Sequence, residues 1–586
     1  MNYRYIIITL AALMLASGMS DAQELDPTVV VNKAYEGKLV QVHKPAYEMA
    51  VPDSVTKFNL DFDYLIFDQP YKGADGFTPY ALTMKPASMV PESNELYLEA
   101  GAGYTLHPTL DVIWSPLSSK VFQLDVYANH RSYVGDYRSF RPVSPEERTL
   151  RLNRWEGDGG TVAYWCGYDL MSRTGVDGRF EGKSLSAGFD VSYYGLHSED
   201  FSKVRSYDGL DVKLGLSSKP KSDKRFSYDA LVSYRFAEDK LNYKSDARGY
   251  LNEHLIDVDA KFGYALNKNH KVLFDVESDV AIYSPAAVTQ LTFVPHYLWK
   301  KGRFSIDAGL RVSAILKSQD STGIFDTEGQ VVYPDVKASY FLIPDAMKMY
   351  VLIGGGNKLN TYASLLEKNH HTDPRFAMRE TGLMNVTVER VSASLGIEGR
   401  IGAAFSYNLH TGYVNYASDA LDAVMIATDP VTGAEKYLPG LEYAPYQKYY
   451  ASADWSLLSD NIRFDGEIEY TYAWGLKNSP GVFLPAALTG DVSFEYNWSK
   501  RIFAGIDCDF STGRHGSVWV KIPGNAGAED AVIPGYVDLG VNFEYAFNNR
   551  FSVWARGGNL LNMTIQRNPL YAEKGLSLTV GICLNL

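Results

Sequence analysis

One group of side chains has the composition of a metal site. His370 and His371 are followed by Asp373, and imidazole and carboxylate groups are ligands of Zn²⁺. Adjacent residues of an extended chain point in opposite directions, and no His-Glu-x-x-His helix accompanies the pair, so a solvated loop is the favoured interpretation. The acidic segment 320–328 could bind Ca²⁺, but its spacing is not that of an EF-hand, and an acidic loop is favoured. The sequence therefore predicts no metal and no other cofactor.

The glycine-rich segments do not match a nucleotide-binding loop. Gly354-Gly355-Gly356 lacks the Lys-Ser/Thr that follows a phosphate-binding loop. Residues 101–103 lie within a predicted strand that no helix follows. No Gly-x-Ser-x-Gly sequence indicates a serine nucleophile. We therefore expect a protein that is not an enzyme.

The composition argues against several other classes of protein. The 586 residues carry 56 Lys and Arg against 69 Asp and Glu, and a net charge of −13 is unfavourable for binding nucleic acid. Cys166, Cys508 and Cys583 are too few and too scattered for a disulfide framework or a metal cluster. The 42 tyrosines indicate many amphipathic rings, which are typical of a membrane interface.

The first 22 residues have the features of a cleaved signal peptide. Arg4 precedes an apolar run, and Ser20-Asp21-Ala22 is a small-x-small cleavage signal, which would leave Gln23 as the mature start. No later run of about 18 or more apolar residues could form a membrane-spanning helix. The expected product is an exported protein, either a soluble secreted protein or an outer-membrane barrel.

Long segments of alternating polar and apolar residues distinguish these two classes. Most are longer than the strands of soluble proteins, which average about 5–6 residues, whereas a tilted strand crosses a bilayer with about 9–11. Their apolar faces often end in Tyr, Trp or Phe, as at a membrane interface. The pattern predicts an all-β fold, a closed antiparallel transmembrane barrel over 94–586, with a water-soluble sandwich as the alternative. The clearest segments are 226–236, 272–282, 304–314, 462–474, 537–547 and 576–586.

Tight polar connections alternate with longer polar segments along the predicted barrel. With both termini in the periplasm, ten short periplasmic turns and longer extracellular loops imply about 22 strands, in a range of about 20–24. Residues 417–444 could add a further pair. The ten tight connections are centred near Ser119, Thr174, Lys219, Lys268, Lys301, Asp345, Gly399, Asp460, Lys500 and Asn549.

The polar faces of these strands are expected to line the lumen. They form either a hydrated wall of cross-strand ion pairs or a pore with a mild preference for cations. The predicted lumen-lining residues are Asp229, Arg235, Asp275, Glu277, Asp279, Asp307, Arg311, Arg463, Asp465, Glu467, Glu469, Asp538 and Glu544.

The C-terminal sequence resembles the end of a TonB-dependent receptor barrel. Residues 556–562 contain Asn-Leu-Leu-Asn, and Tyr571, Gly575 and a closing strand follow. Residues 29–36 and 96–104 resemble a plugless, receptor-like subgroup of outer-membrane barrels. The predicted number of strands also matches that family.

The segment before the barrel departs from the receptor pattern. Receptors of this family carry a globular plug domain, whereas only 23–93 precede the first clear strand here. This segment is too short for the plug and is expected to be periplasmic or to fill the lumen. Its expected anchors in the lumen are Tyr64, Phe67, Tyr71 and Tyr80.

Two functions remain open from the sequence. The first is solute transport or porin-like passage across the outer membrane of a Gram-negative cell. The second is a non-conducting barrel that is a subunit of a larger outer-membrane assembly. Expected partners are outer-membrane lipid, the barrel-assembly machinery during biogenesis, and other outer-membrane proteins or lipoproteins, with no nucleic acid.

Overall fold

The computed structural model describes one large antiparallel sheet, one short helix and their connections. The described residues are 95–586 without 105, 139–163, 201–202, 220–224, 245–247, 284–286, 318–330, 345, 373–383, 403, 429–434, 477–480 and 523–524. The predicted signal peptide, the segment 23–93 with its anchors Tyr64, Phe67, Tyr71 and Tyr80, and the acidic segment 320–328 lie outside these residues.

Twenty-four strands and one helix, α1 (Tyr362–Lys368), occur in the described residues. Within these ranges, no helix has the length and apolar character needed to span a membrane. The strands are β1 (Leu96–Gly103), β2 (Thr109–Ser118), β3 (Phe122–Arg138), β4 (Tyr164–Glu181), β5 (Leu185–Glu199), β6 (Lys203–Ser218), β7 (Phe226–Tyr243), β8 (Arg248–Asn267), β9 (His270–Tyr283), β10 (Ala287–Lys301), β11 (Phe304–Lys317), β12 (Val332–Ile343), β13 (Met347–Leu359), β14 (Val386–Ile401), β15 (Phe405–Thr428), β16 (Glu435–Leu458), β17 (Ile462–Trp474), β18 (Leu488–Trp498), β19 (Ile502–Ser511), β20 (Arg514–Ile522), β21 (Asn525–Ile533), β22 (Tyr536–Asn548), β23 (Phe551–Gly558) and β24 (Ser577–Asn585).

Twenty-two of the described strands close into a barrel. Strands β1 to β19 pair in chain order, β19 pairs with β22, and β24 pairs with β1. Strands β20 and β21 form a hairpin outside this ring, and β20 runs parallel to the end of β15. Because every strand of the ring has two neighbours, the barrel has no free edge. The predicted antiparallel barrel of about 22 strands is confirmed.

The alternating sequence pattern corresponds to the two faces of this closed sheet. Leu578, Val580 and Ile582 of β24 are 55%, 56% and 41% exposed, so the apolar face of this strand points outward. The predicted segments 462–474 and 537–547 coincide with β17 and β22. An apolar outer face and a polar inner face are the reverse of a soluble protein.

All of the long connections lie at one end of the barrel, here the long-loop end, together with short ones such as 200–202 and 284–286, whereas the other end, the short-turn end, has short turns only. Eight of the ten predicted tight connections fall in short turns or within three residues of one, and Asp345 lies outside the described residues. The prediction at Thr174 is wrong, because this residue pairs with Ala128 and Tyr193 in mid-strand, and β4 turns only after Glu181. A polar run inside a continuing strand imitates a turn in the sequence.

The segment 417–444 adds no further pair of strands to the ring. Strands β15 and β16 instead continue as one long hairpin, with pairs extending from Phe405 opposite Leu457 to Thr428 opposite Glu435. The expected additional strands are therefore extensions of two existing strands.

The seam between β1 and β24 is packed by an aromatic ring. Gly101 lies opposite Gly581, and Trp554 of β23 covers both positions, so that a Cβ atom on either glycine would lie within 2.4 Å of the ring. The guanidinium of Arg556 lies 4.2 Å from the centre of the same ring and 2.6 Å from Glu99 of β1. The two glycines leave the space that this tryptophan fills.

Candidate functional site in the barrel lumen

The connection between β13 and β14 folds back onto the polar face of the sheet. Thr361 caps α1, since its side chain accepts a hydrogen bond from the Ser364 N–H at 3.2 Å. Tyr362, Leu365 and Leu366 are buried against side chains of β5 to β10 and of β14 to β16. Leu359 of β13 and Ile315 of β11 belong to or pack against the same apolar cluster, so α1 packs across a wide arc of the ring.

A buried carboxylate holds the first turn of α1. Glu253 accepts hydrogen bonds from the hydroxyls of Tyr207 at 2.9 Å and Tyr283 at 3.1 Å. It also accepts one from the Ala363 N–H at 3.3 Å. Burying a carboxylate is costly unless donors satisfy it, so these three donors fix the helix against β8.

A buried guanidinium holds the segment that follows α1. Arg205 of β6 donates from Nε to Asp239 at 3.2 Å and from Nη2 to the Tyr362 hydroxyl at 3.1 Å. Its other N–H groups donate to the carbonyl oxygens of His370 and Thr372. The hydroxyl of Tyr362 in turn donates to Asp239. Removing one partner of such a buried network leaves an uncompensated charge, so the network fixes this segment in place.

The segment after α1 meets the connection between β23 and β24 at one pair of rings. His371 and Tyr571 stack with their centroids 3.7 Å apart and their planes within 1°. The Tyr571 hydroxyl donates to Asp200 at 3.3 Å, and Lys203 lies 2.7 Å from the same carboxylate. We call residues 360–372 and 559–576 the two folded-back segments.

The interpretation of His370 and His371 as a solvated loop is wrong. His370 lies 3.1 Å from the carboxylate of Asp169, and His371 is stacked on Tyr571. Within the described residues, no group of three His, Cys, Asp or Glu is arranged to hold a metal ion, and Asp373 lies outside them.

The pKa values of the two adjacent histidines are shifted in opposite directions. Burial lowers the pKa of His370, but the hydrogen bond and charge of Asp169 outweigh it, so the pKa is raised above its usual value. Burial, together with the positive charges of His370, Lys203 and Arg205, lowers the pKa of His371 well below its usual value. The ring stacked on Tyr571 is therefore held neutral.

The Asn-Leu-Leu-Asn sequence starts the second folded-back segment. Asn559 has a φ of +46°, and its side chain accepts from the Met563 N–H at 2.9 Å and donates to the Met563 carbonyl at 2.8 Å. Asn562 has a φ of +48° and accepts from Arg138 of β3 at 2.6 Å. Asparagine tolerates this left-handed backbone better than most residues. The motif therefore shapes a turn and ties it to the opposite side of the seam.

An arginine anchors the same segment on the polar face of the sheet. Arg567 donates to Asp538 at 2.9 Å and to the Tyr536 hydroxyl at 2.9 Å, and it also pairs with Asp509. Leu570 is buried in an apolar cluster with Phe483. Both folded-back segments are therefore held by charge pairs and by apolar contacts.

Several of the predicted lumen-lining residues form cross-strand pairs. Arg235 binds both carboxylate oxygens of Asp211 at 2.5 and 3.0 Å, and Arg311 lies 2.7 Å from Glu277. Other cross-strand contacts include His296 with Asp275 at 3.5 Å and with Asp307 at 2.7 Å, and Ser456 with Asp465 at 2.6 Å. Within β17, Arg463 lies 2.5 Å from Asp465 and Thr471 lies 2.8 Å from Glu469, and Asp538 pairs with Arg567 of the second folded-back segment at 2.9 Å.

For the other four predicted lumen-lining residues, the strand register gives the residues that lie opposite them. Asp229 lies opposite Lys261, Asp279 opposite Asp257, Glu467 opposite Asp454 and Asp491, and Glu544 opposite Phe503 and Trp554. The polar face therefore combines neutralised pairs with positions where acids face acids.

The residues that hold the folded-back segments were missed by the sequence reasoning. Arg205, Asp239, Glu253 and Tyr362 lie near the long-loop end, where the strands extend beyond the regular alternation. Their only signal in the sequence is a charged or tyrosine side chain in a polar context. Their partners are distant in the chain, so no local spacing links them.

The barrel is similar in structure to solved metal and siderophore transporters. A siderophore receptor of Acinetobacter baumannii has a TM-score of 0.56 and 9% sequence identity, with 85% of this chain and 81% of that chain covered. An iron transporter of Neisseria meningitidis has a TM-score of 0.57 and 9% identity, covering 84% and 82%. A copper transporter has a TM-score of 0.57 and 10% identity, covering 85% and 82%. The resemblance to TonB-dependent receptor barrels is thus confirmed for the fold.

Comparison by sequence gives no further assignment. No protein-family model matches the chain, and no curated protein matches it significantly.

Proposed function

We propose that this protein is a barrel of the Gram-negative outer membrane that binds or passes a small solute. The observation that carries the proposal is the closed ring of 22 strands with an apolar outer face. A ring of this size encloses more space than the side chains of its strands can fill. Its outer face suits lipid, and its biogenesis requires barrel-assembly machinery. The similar solved barrels are described as receptors and transporters, which supports transport rather than enzymatic activity.

The orientation follows from the lengths of the connections. Outer-membrane barrels place their short turns in the periplasm and their longer loops outside. The two folded-back segments then belong to the extracellular end of the lumen. They narrow this end through α1, Arg205 and the stacked rings of His371 and Tyr571.

The polar face of the sheet is the proposed lumen wall. The predicted lumen-lining residues include ten acids and three arginines, and several acids are neutralised by arginine or histidine in cross-strand pairs. The excess of acids favours cations over anions.

Swelling of proteoliposomes in small sugars and in organic cation salts tests this function. We expect slow passage through the wild type and faster passage through Tyr571→Ala, because this variant loses the contact between the folded-back segments. Tyr250→Ala is a matched control, since Tyr250 is 60% exposed and contacts neither segment. If both the wild type and Tyr571→Ala are impermeable, the protein is instead a non-conducting subunit of a larger outer-membrane assembly.

A further inference from the structure

A cavity of about 470 Å³ lies between α1 and the polar face of the sheet. Ala363, Ser364 and Glu367 of α1 form one side, and the opposite side is formed by β6 to β10. Five carboxylates and three basic side chains line it. Three of its acids already have an arginine partner, since Asp211 and Glu367 pair with Arg235 and Glu277 pairs with Arg311.

Three hydrogen-bond acceptors lie side by side in this cavity. Asp257, Asp279 and Gln290 are direct neighbours on β8, β9 and β10. Like charges directly opposite each other on neighbouring strands are unfavourable. Asp257 accepts one hydrogen bond, from Ser233 at 2.9 Å, and Asp279 makes no hydrogen bond or ion pair with any described residue. No basic side chain of the described residues forms an ion pair with either carboxylate, and Arg235, Lys213 and Arg311 act on them only at longer range.

Gln290 adds a neutral acceptor to this acidic pair. It is only 3% exposed, and its amide nitrogen donates to the Asn357 carbonyl at 2.8 Å. This bond fixes the amide so that Oε1 is the free atom, and Oε1 has no partner among the described residues. A buried amide oxygen without a donor costs free energy, so a donor in the cavity would stabilise the site.

We propose that the cavity binds an organic cation through a primary ammonium group. An ammonium group has three N–H donors and one positive charge, which matches two carboxylates and one amide oxygen. No cluster of three His, Cys, Asp or Glu in the described residues is arranged to hold a metal ion. The cavity is also far larger than a bare ion needs, and the space beneath α1 accommodates the carbon chain of the ligand.

The basic side chains near the cavity leave the position between Asp257, Asp279 and Gln290 open. Arg235 and Arg311 are engaged by Asp211 and Glu277. Lys213 lies directly opposite Asp190 on the neighbouring strand, and it acts on Asp257 through its charge without forming an ion pair with it. The side chain of Lys358 is exposed. A ligand ammonium group would therefore supply the direct ion pair and hydrogen bonds that the Asp257–Asp279 pair does not receive from these side chains.

This proposal rests on the proposed function, because it specifies the class of solute that the barrel binds. It is tested by binding alone. Isothermal titration calorimetry on the full chain in detergent would compare n-butylammonium with n-butyltrimethylammonium, which has no N–H donor. We expect the wild type to bind n-butylammonium at least about tenfold more tightly. Asp279→Asn and Gln290→Leu should each weaken n-butylammonium binding by about tenfold or more.

Asp125→Asn is the matched control, because Asp125 accepts hydrogen bonds from Ser115 and Gln123 and does not line the cavity. It should bind as the wild type does, and gel migration before and after boiling would confirm that all variants are folded. Equal binding of the two amines, unchanged binding in Asp279→Asn, or a preference for Ca²⁺ over n-butylammonium would overturn the proposal. Binding in detergent requires no passage, so failure of this site and failure of transport give different results.

Discussion

The imidazole of His371 lies flat on the phenol ring of Tyr571, with the ring centroids 3.7 Å apart. The two residues belong to connections that are far apart in the chain, between β13 and β14 and between β23 and β24. Each connection is separately fixed to the barrel, the first by Arg205 and the second by Arg567. The ring pair is thus a direct contact between the two folded-back segments, which Lys203 also bridges by donating to the His371 carbonyl and the Tyr571 hydroxyl.

A double-mutant cycle measures this contact. We expect His371→Ala and Tyr571→Ala to be non-additive, with a coupling free energy of about 0.5–1.5 kcal/mol, as for other stacked ring pairs. Thermal unfolding in detergent provides the measurement. The ring pair of Phe304 and Tyr340, on neighbouring strands β11 and β12, is a reference whose cycle should not alter solute passage. Additive effects of the two alanine substitutions would show that the segments are held independently.

The docking of the first folded-back segment should weaken both at acid pH and at alkaline pH. Free histidine has a pKa of about 6.5. Because docking lowers the pKa of His371, its contribution is complete above that value and is lost as the pH falls below it. Docking raises the pKa of His370, so its contribution is complete below that value and is lost as the pH rises through the raised pKa. Solute passage should therefore be slowest near the ordinary histidine pKa.

Two variants separate the effect of acid pH from the effect of alkaline pH. His371→Phe keeps a ring against Tyr571 but cannot be protonated, so the increase in passage at acid pH should disappear. Asp169→Asn removes the hydrogen bond and the larger of the two charges that raise the pKa of His370, and leaves only that of Glu573, so the increase at alkaline pH should begin at a lower pH. Swelling rates measured from pH 5 to 9 would decide, and an unchanged pH profile in both variants would assign the pH dependence to other groups.

The seam of the barrel should be sensitive to side-chain volume. Gly581→Val places a Cβ atom 2.3 Å from the Trp554 ring and 2.4 Å from the Ala100 carbonyl, so the ring or the strand must move. We expect loss of the compact, SDS-resistant band at a lower temperature than in the wild type, because closure removes the free edge. Gly215→Ala is the control, since its added Cβ atom would have its nearest neighbour at 3.9 Å. Identical melting of both variants would count against the packing described for the seam.

The two faces of β17 should differ in their tolerance of arginine. Ile468 belongs to the apolar set of this strand, and Glu467 lies on the polar face opposite Asp454. Arginine at a lipid-facing position near the bilayer midplane costs about 2–4 kcal/mol. Ile468→Arg should therefore reduce the amount of assembled barrel far more than Glu467→Arg does. Quantitative surface labelling of cells gives the comparison, and equal levels would mean that the faces are assigned wrongly.

The sequence was sufficient to predict the barrel but not its interior. Alternation of polar and apolar residues is a local property of each strand, so β17 and β22 were located within one residue. The inward folding of residues 360–372 depends on Arg205, Glu253 and Asp239, which reach this segment only once the ring has closed. The prediction of a turn at Thr174 failed for a related reason. The residues there are polar, as in a turn, but cross-strand pairing keeps the strand continuous.

Single-channel recording in a planar bilayer most directly tests whether the folded-back segments close a conducting barrel. Arg205→Met removes the guanidinium that holds His370 and Thr372 and leaves the Asp239 carboxylate without its ion pair, at a cost of about 3–5 kcal/mol for breaking a buried pair. Arg179→Met is the control, since this arginine is 65% exposed in a pair with Asp177. We predict small or rare openings in the wild type and in Arg179→Met, and larger, more frequent, cation-selective openings in Arg205→Met. Equal conductance in all three proteins, with Arg205→Met still heat-modifiable on gels, would contradict the account.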